Sequence, residues 1–253
     1  MKDSECYSFK LIHETDNPYL KNVDISVVLT MENSSRTFDD PVLLNLARYT
    51  YLQINKGYKK CNKPGVNNPT QDVKHAFKNV MRNTSRYNNI IIFEDDAEFN
   101  DKYSIDEFKN IDDFLKTEHF DTYSLGSLSL NVPGLSDHKR ILSKMGACHA
   151  VIYSITTRLN FIYIDGYQVD TDIISSFQNN YKYKYPLVCQ TFPETPAKKE
   201  WGNNIENLAL IKFMDITGAD KHIEPFWSSI YFICDYLIFI IIIIILVIIK
   251  CYM

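Results

Sequence analysis

The run Asn89-Ile-Ile-Ile-Phe-Glu94-Asp95-Asp96-Ala-Glu98 places three consecutive carboxylates at the end of a fully apolar stretch. Acids so crowded repel one another unless protons or a cation intervene. A hard divalent ion such as Mg2+ or Mn2+ takes oxygen ligands, often one or two carboxylates together with substrate phosphates. Alternation along an extended chain turns Glu94 and Asp96 to one side and Asp95 to the other. Glu94 and Asp96 are therefore the candidate metal ligands, and Asp95 is left to bind ribose or brace the loop. The plain alternative is a solvated acidic turn. His75 and His149 flank the motif in sequence and read as packed residues, while Lys182, Lys184, Lys198 and Lys199 read as a solvated face. Trp201 is suited equally to stacking on a sugar and to packing. The chain has no GxSxG, P-loop or GxGxxG pattern, so a hydrolase elbow and a P-loop NTPase find no support.

Positioning those acids requires a buried strand, and Asn89–Phe93 has the length and composition of one. Val23–Met31 is a second β-branched run of strand length. Pro41–Ile54 has apolar residues at helical spacing after a proline, which predicts a helix. Residues 55–69 carry Gly57, Pro64, Gly65 and Pro69 and predict a loop. Thr70–Arg82 predicts an amphipathic helix with Thr70 as N-cap, and Ile105–Leu115 another helix. Tyr123–Leu130 predicts an extended segment, Gly146–Ile155 a turn feeding a strand, Asp170–Asn180 a helix and Tyr185–Cys189 a strand. Strands alternating with helices imply an α/β domain with a largely parallel sheet. In such sheets ligands gather beyond the carboxyl ends of strands, where the three acids lie.

The chain's 253 residues, 27 Lys and Arg against 31 Asp and Glu, give a net charge of −4. This balance, without a basic run, excludes a nucleic-acid binder held by phosphate neutralisation. Six cysteines stand at 6, 61, 148, 189, 234 and 251 with no CxxC pair, which argues for reduced, mostly buried thiols. From Phe226 to Ile249 runs FWSSIYFICDYLIFIIIIIILVII, with Asp235 as its one charge. Such a length covers the ~30 Å hydrocarbon core as a helix. Phe226, Trp227 and Tyr231 have the character of an interfacial belt, and Asp235 lies near enough the end to reach headgroups or protonate. Residues 1–22 lack the apolar stretch of a secretion signal. The expectation is a single-pass, C-terminally anchored membrane protein whose soluble part faces the cytosol. Asn-x-Ser sequons at Asn33 and Asn83 are then coincidental.

Several segments together are similar to one enzyme family. His75–Phe99 (HAFKNVMRNTSRYNNIIIFEDDAEF) resembles the helix and Glu-Asp-Asp strand of glycosyltransferase family 25, the lipooligosaccharide and procollagen galactosyltransferase group. Gly146–Ser154 (GACHAVIYS) resembles its Gly-x-x-Ala-Tyr-x-x-Ser segment. Val169–Ile173 (VDTDI) resembles its aspartate ahead of a helix, and Tyr185–Gln190 (YPLVCQ) its Pro-x-x-x-Gln. The resemblance implies a GT-A-like nucleotide-sugar-binding domain over residues 23–190, with 1–22 as an N-terminal extension. Residues 191–225 follow as an arm or stalk, then 226–249 as a transmembrane helix and 250–253 as a tail.

By the same resemblance, Glu94, Asp95 and Asp96 hold Mn2+ or Mg2+ and the donor diphosphate. Arg36 binds nucleotide or phosphate, Asp170 or Asp172 is the general base, and Gln190 lines the sugar or acceptor pocket. The implied activity is metal-dependent transfer of a sugar, such as galactose or glucose, from a nucleotide sugar (UDP-linked) to a protein or glycan hydroxyl. A non-catalytic, membrane-tethered relative acting as a scaffold is the second reading. A different metal enzyme such as a phosphoesterase is the third.

Overall fold

A computed structural model of the chain describes residues 5–102, 104–132, 135–143, 148–163, 178–191, 212 and 223–252. Its elements, in chain order, begin with β1 (Tyr7–Glu14), β2 (Ile25–Met31), α1 (Pro41–Leu46), β3 (Tyr49–Asn55) and α2 (Pro69–Asn83). Then come β4 (Asn89–Glu94), β5 (Ala97–Phe99), α3 (Asp106–Thr117), β6 (Thr122–Ser124) and β7 (His138–Arg140). The last are β8 (Ala150–Ser154), α4 (Ile155–Tyr163), β9 (Asn180–Tyr183), β10 (Val188–Gln190) and α5 (Ile223–Tyr252).

Because β4 is apolar on both faces, it needs cover on both, and it lies inside the main sheet, whose order is β1-β3-β2-β4-β8-β6-β9-β7. Ile91 and Phe93 enter one core with Val28, Leu46, Phe108, Ile111 and Tyr123. Ile90 and Ile92 enter the other with Val27, Phe77, Val80, Met81 and Phe161. Helices α1 and α3 thus cover one face, and α2 and α4 the other. The fold is α/β, as expected, with a mixed sheet. Pairings β3–β2, β2–β4 and β6–β9 are parallel, while β1–β3, β4–β8, β6–β8 and β7–β9 are antiparallel. Strands β5 and β10 form a separate two-stranded ribbon.

Several expectations are corrected. The helix predicted over Pro41–Ile54 stops at Leu46, and Tyr49–Asn55 is a strand. Its aromatic and β-branched residues pair with both β1 and β2, and that tertiary pairing overrides the helical spacing. Helix α2 is capped by Asn68, whose side chain accepts from the Gln71 N–H, rather than by Thr70. The extended segment from Tyr123 is a strand only over Thr122–Ser124. Residues 7–14, within the expected extension, form an edge strand of the main sheet. Cys6 and Cys61 are joined in a disulfide with Cα atoms 5.5 Å apart, which overturns the expectation of unpaired thiols for these two. Cys148 and Cys189 are buried.

Helix α5 departs from expectation in its first half. Phe226, Trp227 and Tyr231 are buried with Cys189 in a core cluster of the domain, rather than forming an interfacial belt. Asp235 does not stand alone: it pairs with the fully buried Lys182 at 3.4 Å and accepts from Asn131 Nδ2. The Lys182 ammonium also lies 4.0 Å from the Tyr231 ring centroid. Beyond Asp235, Tyr236 and the described side chains from Ile240 through Ile249 are exposed, and Leu237 is half-buried. Over the described residues no helix is long and apolar enough to cross a membrane. The side chains at 238, 239 and 242 lie outside that description. The fold shows the helix, not a crossing.

Candidate functional site

Strand β4 brings Glu94 to the carboxyl end of the sheet, where Leu29 of β2 is its parallel register partner and the His149 carbonyl accepts its N–H at 2.9 Å. The chain turns at Asp95 and Asp96 and re-enters as β5, which pairs antiparallel with β10 so that Ala97 lies opposite Gln190. This return sets the Gln190 amide against the acids. Its Nε2 donates to Asp96 Oδ2 at 3.0 Å and to Glu94 Oε2 at 3.3 Å. Two carboxylates thereby share one donor that stands 96 and 94 positions further along the sequence. The Thr191 N–H and hydroxyl both donate to the Asp96 carbonyl, at 2.9 and 3.2 Å.

Asp95 points elsewhere. Its Oδ2 accepts from the hydroxyls of Thr30 (3.2 Å), near the end of β2, and Ser34 (3.4 Å), just after it, and Arg36 Nη1 donates to its backbone carbonyl. The turn therefore divides the acids into two groups: Glu94 and Asp96 with Gln190 on one side, Asp95 with Thr30, Ser34 and Arg36 on the other. Arg36 and Gln190 both converge on the acidic turn. Asp170 and Asp172, the candidate bases, lie outside the described residues.

Burial raises the Asp96 carboxyl above its ordinary value, opposed by the Gln190 hydrogen bond and the Arg36 charge. Asp95 is raised for the same first cause, opposed by Arg36, reinforced by the neighbouring Asp96 charge and moderated by the Thr30 and Ser34 hydroxyls. Asp96 Oδ1 is out of contact with solvent and has no hydrogen-bond partner among the described residues. A buried, unpartnered carboxylate oxygen is costly unless a proton or cation meets it. The donor set at this turn, carboxylates plus an amide, suits a hard oxygen-seeking cation. Against that, no group of three or more His, Cys, Asp or Glu among the described residues is arranged to hold a metal ion.

Three supports were not legible in sequence. Gly126 passes so close to β10 that an added Cβ would fall inside the Val188 carbonyl and 2.6 Å from His149 Nε2. His149, fully buried, has Nε2 2.9 Å from that same carbonyl, and its ring packs edge-on against Trp227 at 5.1 Å. Trp227 Nε1 in turn donates to the Gln190 carbonyl at 3.3 Å. Thr30 lies near the end of β2 and Ser34 just after it, and β2 neighbours β4 in the sheet. Trp227 had no sequence signal, because its partner stands 37 residues upstream. A cavity of about 280 Å3 lies alongside, lined by Glu98, Phe99, Lys102, Cys189 and Glu224 among others, and the three consecutive acids do not line it.

No protein-family model and no curated protein matches this chain.

Proposed function

We propose that the chain is a membrane-anchored, metal-dependent glycosyltransferase that moves a hexose, such as galactose or glucose, from a UDP-type nucleotide sugar to a protein or glycan hydroxyl. The observation that carries the reading is the unpartnered buried oxygen of Asp96 beside Glu94, at the carboxyl end of a central strand. Glu94 and Asp96 would hold Mn2+ or Mg2+. When bound, such an ion supplies positive charge to a departing nucleoside diphosphate. Gln190 holds the two carboxylates in one place through a single amide. Arg36 is fixed by the Asp95 carbonyl through one guanidinium nitrogen, and its other N–H groups suit phosphate oxygens. Asp170 or Asp172 is the proposed base that removes the acceptor proton.

The anchor is α5, whose exposed apolar second half has the composition of a bilayer span. A cytosolic domain, the expectation from a C-terminal span without a secretion signal, fits poorly with the Cys6–Cys61 bridge, because disulfides persist in oxidising compartments. A non-catalytic scaffold is favoured by one observation, the lack of a ready metal-ligand cluster among the described residues.

The full chain, reconstituted in lipid and offered a panel of nucleotide sugars with and without Mn2+, separates the two. Mn2+-dependent transfer or donor hydrolysis that is lost in Asp96→Asn is the expected result. An absence of turnover and of any thermal shift with every donor and metal would overturn the enzyme in favour of the scaffold.

A further inference from the structure

Strand β10 carries Gln190 at its end and pairs as a strand on one side only, with β5. The Thr191 N–H donates to the Asp96 carbonyl at 2.9 Å, so the hydrogen-bonded pairs of this ribbon fall at 191 and 189. Gln190 and Val188 therefore turn their backbone groups away from β5. The Val188 N–H goes outward to the Leu125 carbonyl at 3.2 Å. The two outward carbonyls are buried and need donors of their own. At Val188 the donor is His149 Nε2, 2.9 Å away, and at Gln190 it is the Trp227 indole Nε1, 3.3 Å away. Two side chains stand where a third strand would lie.

These two donors act as a unit. Both residues are fully buried, and their rings meet edge-on at 5.1 Å. His149 also holds the other arm of the site, because its backbone carbonyl accepts from the Glu94 N–H at 2.9 Å. Trp227 is wedged from the helix side among Cys189, Phe226 and Tyr231. The Gln190 backbone is thus fixed by groups from two other elements, and its amide reaches Asp96 at 3.0 Å and Glu94 at 3.3 Å. The longer contact leaves little slack. A displacement of about 0.3 Å would take it beyond hydrogen-bond range and leave Gln190 serving one acid instead of two.

We infer that Trp227 is a positioning residue of the proposed metal site: seated against His149, its indole N–H sets the Gln190 backbone, and through it the amide that keeps Glu94 and Asp96 together for one cation. The inference rests on the proposed role of Glu94 and Asp96 as metal ligands and is independent of whether α5 crosses a bilayer. Groups that orient metal ligands without touching the ion typically contribute 10–100-fold in affinity, and Trp227 acts one step further out, which sets its effect at about tenfold.

The test uses the full chain in detergent with Mn2+ alone as the probe. Trp227→Phe keeps an aromatic ring beside Cys189 and removes the N–H. It is expected to weaken Mn2+ binding about tenfold in calorimetric titration at neutral pH. In a Gln190→Ala background the same substitution should cost nothing further, because the route through which it acts is already gone. No loss in the first background, or an equal loss in both, overturns the positioning role and leaves the metal site standing. A second measurement needs no change at Trp227. The chain has two tryptophans, so isotope-labelled indole nitrogens give two resonances, assigned with Trp201→Phe. Diamagnetic Mg2+, at concentrations that displace Mn2+, should move the Trp227 resonance. A Trp227 resonance that stays in place overturns the inference even where Trp227→Phe fails to fold. An unsubstituted chain that binds neither ion overturns the proposed metal site and the positioning role together.

Discussion

At Asp96 burial and function pull in opposite directions. Its carboxyl is raised by desolvation, so between the ordinary value of 3.8 and its folded value the native state holds more proton than the unfolded chain. Stability from this group is therefore present at low pH and is lost as pH rises through the folded value. Asp96→Asn, close to isosteric, is expected to raise the melting temperature at pH 7 by about 2–4 °C, the equivalent of ~1 kcal/mol in a chain of this size. It should also abolish sugar transfer. The melting difference should close as pH is lowered toward 4 in a calorimetric series, and Mn2+ should stabilise the wild type near neutral pH but not the variant. Equal melting temperatures at every pH would show that the carboxyl is not desolvated. Gln190→Ala, which removes the shared donor, is expected to raise the pH at which Mn2+ first stabilises the protein, because the Asp96 carboxyl then holds its proton more tightly.

How much of this site could be read in advance depends on which residues are asked about. Glu94-Asp95-Asp96 after four apolar residues is a local pattern, and alternation suffices to separate Asp95 from its neighbours. The partners are non-local. Gln190 meets the acids only because β5 pairs with β10, and a three-residue ribbon leaves no periodic trace. The edge strand β1 was hidden for a related reason: Tyr7–Glu14 is exposed along most of its length, so it lacks the apolar alternation that betrays a half-buried strand. The Pro41–Ile54 segment shows the opposite failure, a helical spacing present in sequence and overruled beyond Leu46 by pairing with β1 and β2.

At the scale of elements, the contacts of β10 with Gly126 and of α5 with Lys182 are the ones that fix the site. A methyl at Gly126 has nowhere to go, since the atom it meets is the Val188 backbone carbonyl. Gly126→Ala should displace β10, costing about 1–3 kcal/mol in chemical denaturation by overpacking and lowering turnover more than a surface substitution of similar size. Asp235→Ala strands the Lys182 ammonium in a fully buried position. Loss of one partner of a buried pair costs about 3–5 kcal/mol. The double variant Asp235→Asn with Lys182→Met should recover most of it. Failure of the double variant to recover would mean that the pair is solvated in the folded protein.

The whole molecule is closed at its N-terminal edge by the Cys6–Cys61 bridge, which spans 55 residues and ties the start of β1 to the loop before α2. Next to it, Lys63 is buried against Asp72 and Asn55 and lies 4.5 Å from the Tyr7 ring centroid, so the bridge and the buried charge secure the same corner. Cys6→Ser is expected to lower stability by about 2–4 kcal/mol, measured without reductant, and to have no effect when reductant is present throughout. Alkylation and mass measurement of protein from an oxidising host should find Cys6 and Cys61 unmodified before reduction and labelled after it.

Trp227 lies on the helix that would enter the lipid, yet its indole is hydrogen-bonded to the backbone of the residue that steadies the acid pair. The proposed anchor is thus also a structural wedge beside the acidic turn. A protease that cut ahead of residue 223 would not liberate a working enzyme into the medium. It would pull out the wedge and unseat Gln190, so on the proposed reading the cut fragment would lose its activity.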